Sequence, residues 1–177
     1  MNKFLIVLLT SFFVFGCSSN PTPVAPVIEK FEATKYLGKW YEIVRLPHSF
    51  EEGLERVTAE YRLNNDGTIE VTNRGYNIEL GEWETAIGHA KPVGTAMYKV
   101  TFFWPFYGGY YISELQTNDA GDYSIAVITS DSYDYFWVLS RTPNVPESVL
   151  EEIMKKAEAW GYDTSLMIRV NHQAGYQ

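Results

Sequence analysis

The sequence predicts an all-β fold: eight short antiparallel strands joined in chain order, as in an up-and-down barrel or a sandwich, followed by one α-helix. Three observations predict it. Between Trp40 and Arg141 the text is a succession of short β-like runs separated by turn residues. Within those runs apolar and polar side chains alternate, the period of a strand with one buried face. After them a single apolar stripe recurs at helical spacing over Glu147–Trp160.

The elements follow in order. Met1-Asn2-Lys3, the apolar run Phe4–Phe15 and the small Gly16 have the grammar of a secretory leader over residues 1–16. The run has 12 residues, against about 20 for a membrane-spanning helix. Val14-Phe15-Gly16-Cys17 resembles the lipobox of bacterial lipoproteins, which implies acylation of Cys17. Cys17 is the only cysteine, so no intramolecular disulfide forms, and acylation would remove a lone thiol from an oxidising compartment. The same resemblance, with serine at position 18, implies sorting to the bacterial outer membrane with the domain facing the periplasm. Residues 17–30, polar and proline-rich, are expected to form the lipidated N-terminus and an extended spacer. Residues 31–177 are expected to form one domain.

The expected strands are Trp40–Leu46, Val57–Leu63, Ile69–Tyr76, Trp83–Lys91, Thr95–Phe103, Gly109–Gln116, Tyr123–Thr129 and Tyr135–Ser140. Asn65-Asp66-Gly67 is a strong hairpin signal between the second and third. In the helix Val149, Leu150, Ile153, Met154, Ala157 and Trp160 share one face; Pro146 suits its first turn and Gly161 its stop. Leu166–Val170 is a candidate last strand.

Alternation also says which side faces water. One parity carries Glu60, Arg62, Glu70, Arg74, His89, Lys91 and Lys99, too many charges for the interior of eight strands. They face out, which argues for a soluble barrel over an integral outer-membrane one. The other parity lines the interior, and Ala59, Tyr61, Val71, Asn73, Ala86, Gly88, Tyr98, Val100, Tyr110, Ile112, Tyr135 and Trp137 are the candidate ligand-lining residues. The small ones cluster on the Trp83–Lys91 strand, which suggests a cavity unless large neighbours fill the gap.

Gly38-Lys39-Trp40-Tyr41-Glu42 resembles the Gly-X-Trp-Tyr-Glu signature of lipocalins, and Ser140-Arg141-Thr142-Pro143 supplies the arginine that, in that family, covers the signature tryptophan. Gly38, Trp40, Tyr41 and Arg141 are the structural signature this implies. Further stretches, among them Gly53–Ala59 and Pro105–Tyr110, look like the bacterial outer-membrane, apolipoprotein D-like branch. The resemblance implies an eight-stranded antiparallel up-and-down lipocalin barrel with one C-terminal α-helix. It also implies storage or transport of fatty acids (palmitate-like chains) or lysophospholipids for envelope maintenance under stress, and a homodimer. A non-enzymatic interaction scaffold, or a carrier of another hydrophobic ligand such as haem, is the alternative.

Other chemistry finds little support. The net charge is −8, and −9 without the Lys3 of the leader, which repels nucleic acid and anionic headgroups. There is no Gly-X-Ser-X-Gly elbow and no His-Glu-X-X-His helix, so no enzyme is expected. His48, His89 and His172 lack ligand-like spacing; no metal and no cofactor are expected. Glu51-Glu52 is expected to be part of a solvated rim on a loop at the barrel mouth, beside Phe50 and Leu54.

Overall fold

The structure, a computed structural model, describes residues 22–173, so Cys17 and the leader lie outside the described residues. A single helical turn, α1 (Ala33–Tyr36), leads into β1 (Gly38–Arg45). Then follow β2 (Leu54–Leu63), β3 (Ile69–Asn77), β4 (Glu82–Gly94), β5 (Met97–Phe103), β6 (Phe106–Thr117), β7 (Tyr123–Thr129) and β8 (Phe136–Ser140). Helix α2 (Glu147–Ala159) and a two-residue β9 (Ile168–Arg169) come last among the described residues. Each strand from β2 to β8 pairs antiparallel with the next, and β1 pairs with both β8 and β2, which closes the barrel. Of the two sheet architectures left open by alternation, the barrel is the one formed; β9 adds only a short edge beyond β1.

Two apolar cores result. Trp40, Tyr61, Val71, Ala90, Ile112, Ala126, Ile128 and Leu139 fill the barrel. Ile43, Val44, Ile125, Val127, Phe136 and Val138 project outward beneath Leu150, Ile153 and Ala157 of α2. This explains the unbroken apolar run Ile125–Ile128: its neighbours alternate between lumen and helix, so neither face meets water. Gly161, at φ +99°, ends the helix in a conformation that favours glycine.

Several strands outrun the sequence expectation. β4 continues through Pro92 to Gly94, and only Thr95-Ala96 separates it from β5. β6 starts at Phe106, and only Trp104-Pro105 separates it from the end of β5 at Phe103. The expected spacer differs too. From Val24 onward it is docked on the barrel, with Val24 N donating to Ser130 O (3.3 Å), Ile28 N to Ile112 O (3.1 Å) and Glu32 N to Tyr123 Oη (3.0 Å).

Candidate functional site

Register places the expected interior side chains on one surface. Ala59, Asn73 and Ala86 are neighbours across β2, β3 and β4, as are Tyr61, Val71 and Gly88, while Tyr98 faces Tyr110 and Ile112 faces Ile128. Directly paired residues share a face of the sheet. Of the opposite parity, Glu60, Arg62, Arg74, His89 and Lys91 are exposed.

One end of the barrel is sealed. Trp40 is fully buried and its indole N–H donates to Tyr36 O at 2.8 Å. The Arg141 guanidinium lies 3.9 Å from the Trp40 ring centroid. Its Nη1 donates to Lys39 O (2.8 Å) and its Nη2 to Lys35 O and Leu37 O (both 2.9 Å). Gly38 sits at φ +88°, and Tyr41 points outward to the ring of His172. Just above the floor the hydroxyls of Tyr36 and Tyr61 both meet that of Tyr110, at 2.6 and 2.8 Å. Burial pushes all three phenols above their ordinary range. Tyr61 and Tyr110 thus spend their hydroxyls on each other's cluster, while Tyr98 packs edge-on against Phe31. Asn73 is half-buried, and its Oδ1 has no hydrogen-bond partner in the lumen wall.

The other end is open. β4 runs past the end of β5, so Ala86 is exposed although its parity is inward. Gly88 and Gly108 lie on the two strands that flank β5. A Cβ on Gly88 would lie 2.7 Å from Thr101 O and 2.8 Å from the Phe102 ring, whereas one on Gly108 would have nothing within 4 Å. The space Gly88 leaves is therefore taken by Phe102, whereas exposed Gly108 stands in open space beside half-buried Val100. Around the rim Phe50, Leu80, Phe103, Trp104 and Phe106 are exposed, the last three by 77%, 81% and 77%.

The wall below this rim holds an ionic cluster that the sequence analysis did not anticipate. Arg45 Nη1 donates to Glu42 Oε1 (2.8 Å), and its Nη2 to the carbonyls of Glu51 (2.9 Å) and Leu54 (3.0 Å). Glu51 Oε2 lies 3.1 Å from His48 Nε2 and 3.8 Å from Arg45 Nε, and accepts from the indole of Trp137 at 3.3 Å. Glu51, expected on a solvated rim, is instead buried. The Ser49–Glu51 turn folds inward and only Glu52 remains at the surface. Tyr135 stacks between Phe50 and Trp137, so both expected aromatics belong to this wall. One guanidinium cannot compensate two buried carboxylates. For Glu51 burial favours the neutral form, but the hydrogen bond and charge of His48, with Arg45 and Trp137, outweigh it and hold the carboxyl below its ordinary value. For Glu42 burial and the adjacent Glu51 win over Arg45, and its carboxyl is held well above that range. Of the two carboxyls, Glu42 is the one whose neutral form the fold favours.

Among the described residues no three His, Cys, Asp or Glu side chains gather as metal ligands. The chain matches the family model of the lipocalin-like domain over residues 31–172. It is 45% identical over 172 residues to the outer membrane lipoprotein Blc of Vibrio cholerae, covering 96% of this chain and 98% of that one. Identity to the Escherichia coli K12 protein of the same name is 42% over 171 residues, 94% of either chain. Apolipoprotein D of Macaca fascicularis is 33% identical over 145 residues, 78% of this chain and 74% of its own. Among solved structures, the cockroach allergen Per a 4 superposes with a TM-score of 0.65 at 18% identity, covering 86% of this chain and 95% of the allergen. Insecticyanin from the tobacco hornworm gives 0.64 at 17%, with 83% and 84% covered.

Proposed function

This chain belongs to the lipocalin family, and from that premise we propose that it is a lipid-anchored outer-membrane lipoprotein that holds or ferries single fatty acids or lysophospholipids for envelope maintenance. The observation that carries the reading is the polarity of the barrel. Trp40 and Arg141 seal one end, while the other opens beside Gly108 within a rim of exposed apolar side chains. An acyl chain entering there meets half-buried Val100 and Tyr110, above the packed Val71, Ile112 and Tyr61. Asn73 Oδ1 and the Arg45 cluster lie nearer the mouth, where a polar head would rest. The role is binding, not catalysis: the buried acid and base groups of the wall are engaged with one another. Anchoring at Cys17 in the outer membrane, with the domain in the periplasm, rests on the lipobox-like sequence and the names of the bacterial relatives. A homodimer has the aromatic rim available as its interface.

The test is a tryptophan-fluorescence titration with lysophospholipid, joined to a native mass spectrum of membrane-extracted protein. A saturable change in emission and a bound lipid mass are expected. If neither is seen, the barrel is a closed scaffold and the carrier reading falls.

A further inference from the structure

Outside the barrel a groove of about 310 Å³ crosses β1 to β4. Lys39, Arg56, Arg74, Tyr41, Trp83 and His172 line it. Three of these six are cations, in a chain whose net charge is −8. Among the described residues none of the three has a carboxylate within ion-pair distance. The acidic neighbours are not their partners: Glu55 accepts from Asn171, Glu84 accepts from Asn77, and Glu60 sits opposite Lys39 in the ladder without pairing to it.

Aromatic rings hold the cations instead. The Arg56 guanidinium carbon lies 4.1 Å from the Tyr76 centroid and 5.1 Å from that of Trp83, and the Arg74 carbon lies 4.4 Å from the same indole. Lys39 Nζ stands 4.7 Å from the Tyr41 ring. Two guanidinium groups therefore converge on one indole, and among the described residues no carboxylate pairs with either. Arg56 reaches this place from a backbone at φ +53°, a conformation costly for a residue with a Cβ. Its Nε is buried and has no hydrogen-bond partner. Stacked guanidinium groups keep their in-plane N–H donors free, and those donors match the oxygens of a phosphate. Burial lowers the pKa of His172, whose Nε2 is 2.6 Å from Glu42 O, so a neutral polar ring closes one wall.

We propose that the Lys39–Arg56–Arg74 groove is a binding site for a phosphate ester, separate from the barrel lumen. The ester is carried either by a phospholipid headgroup at a bilayer surface or by a soluble molecule such as glycerol phosphate. The site does not depend on the lumen binding a lipid.

The test uses the full chain in phospholipid nanodiscs, with the arginine Nε–Hε resonances as the readout. Sn-glycerol 3-phosphate is titrated into discs of phosphatidylcholine alone, and a second sample replaces part of that lipid with phosphatidylglycerol. Arg56 and Arg74 signals are expected to shift saturably while that of Arg62, paired with Glu70, stays in place. A response only to phosphatidylglycerol assigns the headgroup; a response to the soluble ester assigns a site that needs no bilayer. Lys39→Gln with Arg74→Gln, both exposed, should weaken the interaction at least about tenfold with unfolding unchanged. No shift in either arm, equal shifts at Arg62, or undiminished binding by the double variant would overturn the proposal.

Discussion

Replacing Arg141 by lysine keeps the charge and removes the fork. In the native floor, three N–H groups of Arg141 reach the carbonyls of Lys35, Leu37 and Lys39 while the guanidinium plane lies over Trp40. A lysine ammonium, at the end of a flexible stem, reaches one of these carbonyls and covers little of the indole. Two charge-assisted hydrogen bonds are then lost at about 1.5 kcal/mol each, the low end because the site is half-exposed. The ring contact adds about 0.5 kcal/mol. The sum, roughly 3–4 kcal/mol, corresponds in a domain of this size to a fall in Tm of roughly 6–16 °C. Urea unfolding followed by tryptophan emission measures it. A double-mutant cycle with Trp40→Phe isolates the contact, and its coupling should be about 0.5–1 kcal/mol. Lysine tolerated within about 0.5 kcal/mol would refute the reasoning, because the floor would then need only a positive charge near its carbonyls.

The two glutamates of the wall should behave oppositely. Glu51→Gln removes the charged partner of Arg45 and His48 and should destabilise by about 3 kcal/mol at pH 7, whereas Glu42→Gln replaces a carboxyl whose neutral form the fold favours and should be silent or stabilising. The signs with pH follow: Glu51, depressed in the fold, contributes stability above the ordinary carboxylate range that is lost as pH falls through its folded pKa. Glu42, raised in the fold, makes stability decline as pH rises above about 4.5. Urea midpoints across that range check both, and the decline should vanish in Glu42→Gln. The glycines provide a third contrast. Gly88→Ala should cost about 1–3 kcal/mol against the Thr101 carbonyl, while Gly108→Ala should stay within about 0.5 kcal/mol and reduce lipid capacity if the space beside it is the acyl path. Thermal unfolding and the fluorescence titration read the two effects separately.

Much of the barrel was legible because its strands obey a period of two, so Tyr61, Val71 and Gly88 could be put on one face before any pairing was known. The ends of β4 were not legible, since Pro92 and Gly94 read as a turn, yet the hairpin with β5 keeps them in the ladder. The Arg45 cluster was hidden for a different reason. Regular alternation puts Glu42 and Arg45 on opposite faces. An irregularity between Glu42 and Val44 shifts the register and brings both inside. A second shift, between Glu55 and Thr58, accompanies the unusual backbone of Arg56. Composition was equally blind to the cationic groove, because a net charge averages over a surface on which its three cations come from three different strands.

The docking of residues 24–32 along the barrel sets the length of a leash. If Cys17 carries the lipid, seven residue steps of chain separate it from Val24, a reach of at most about 25 Å when fully stretched. The twelve residues of β6 alone cover roughly 40 Å along that strand. Val24 is fastened to Ser130, which follows β7 at the mouth end, while Glu32 is fastened to Tyr123 at the floor. A tether shorter than the body it holds, and knotted near one end, does not leave orientation to chance. With Cys17 lipidated, such a tether would keep the opening, and not the sealed base, within range of the bilayer, and a pull on it would be borne by the Val24–Ser130 attachment beside the β7–β8 corner.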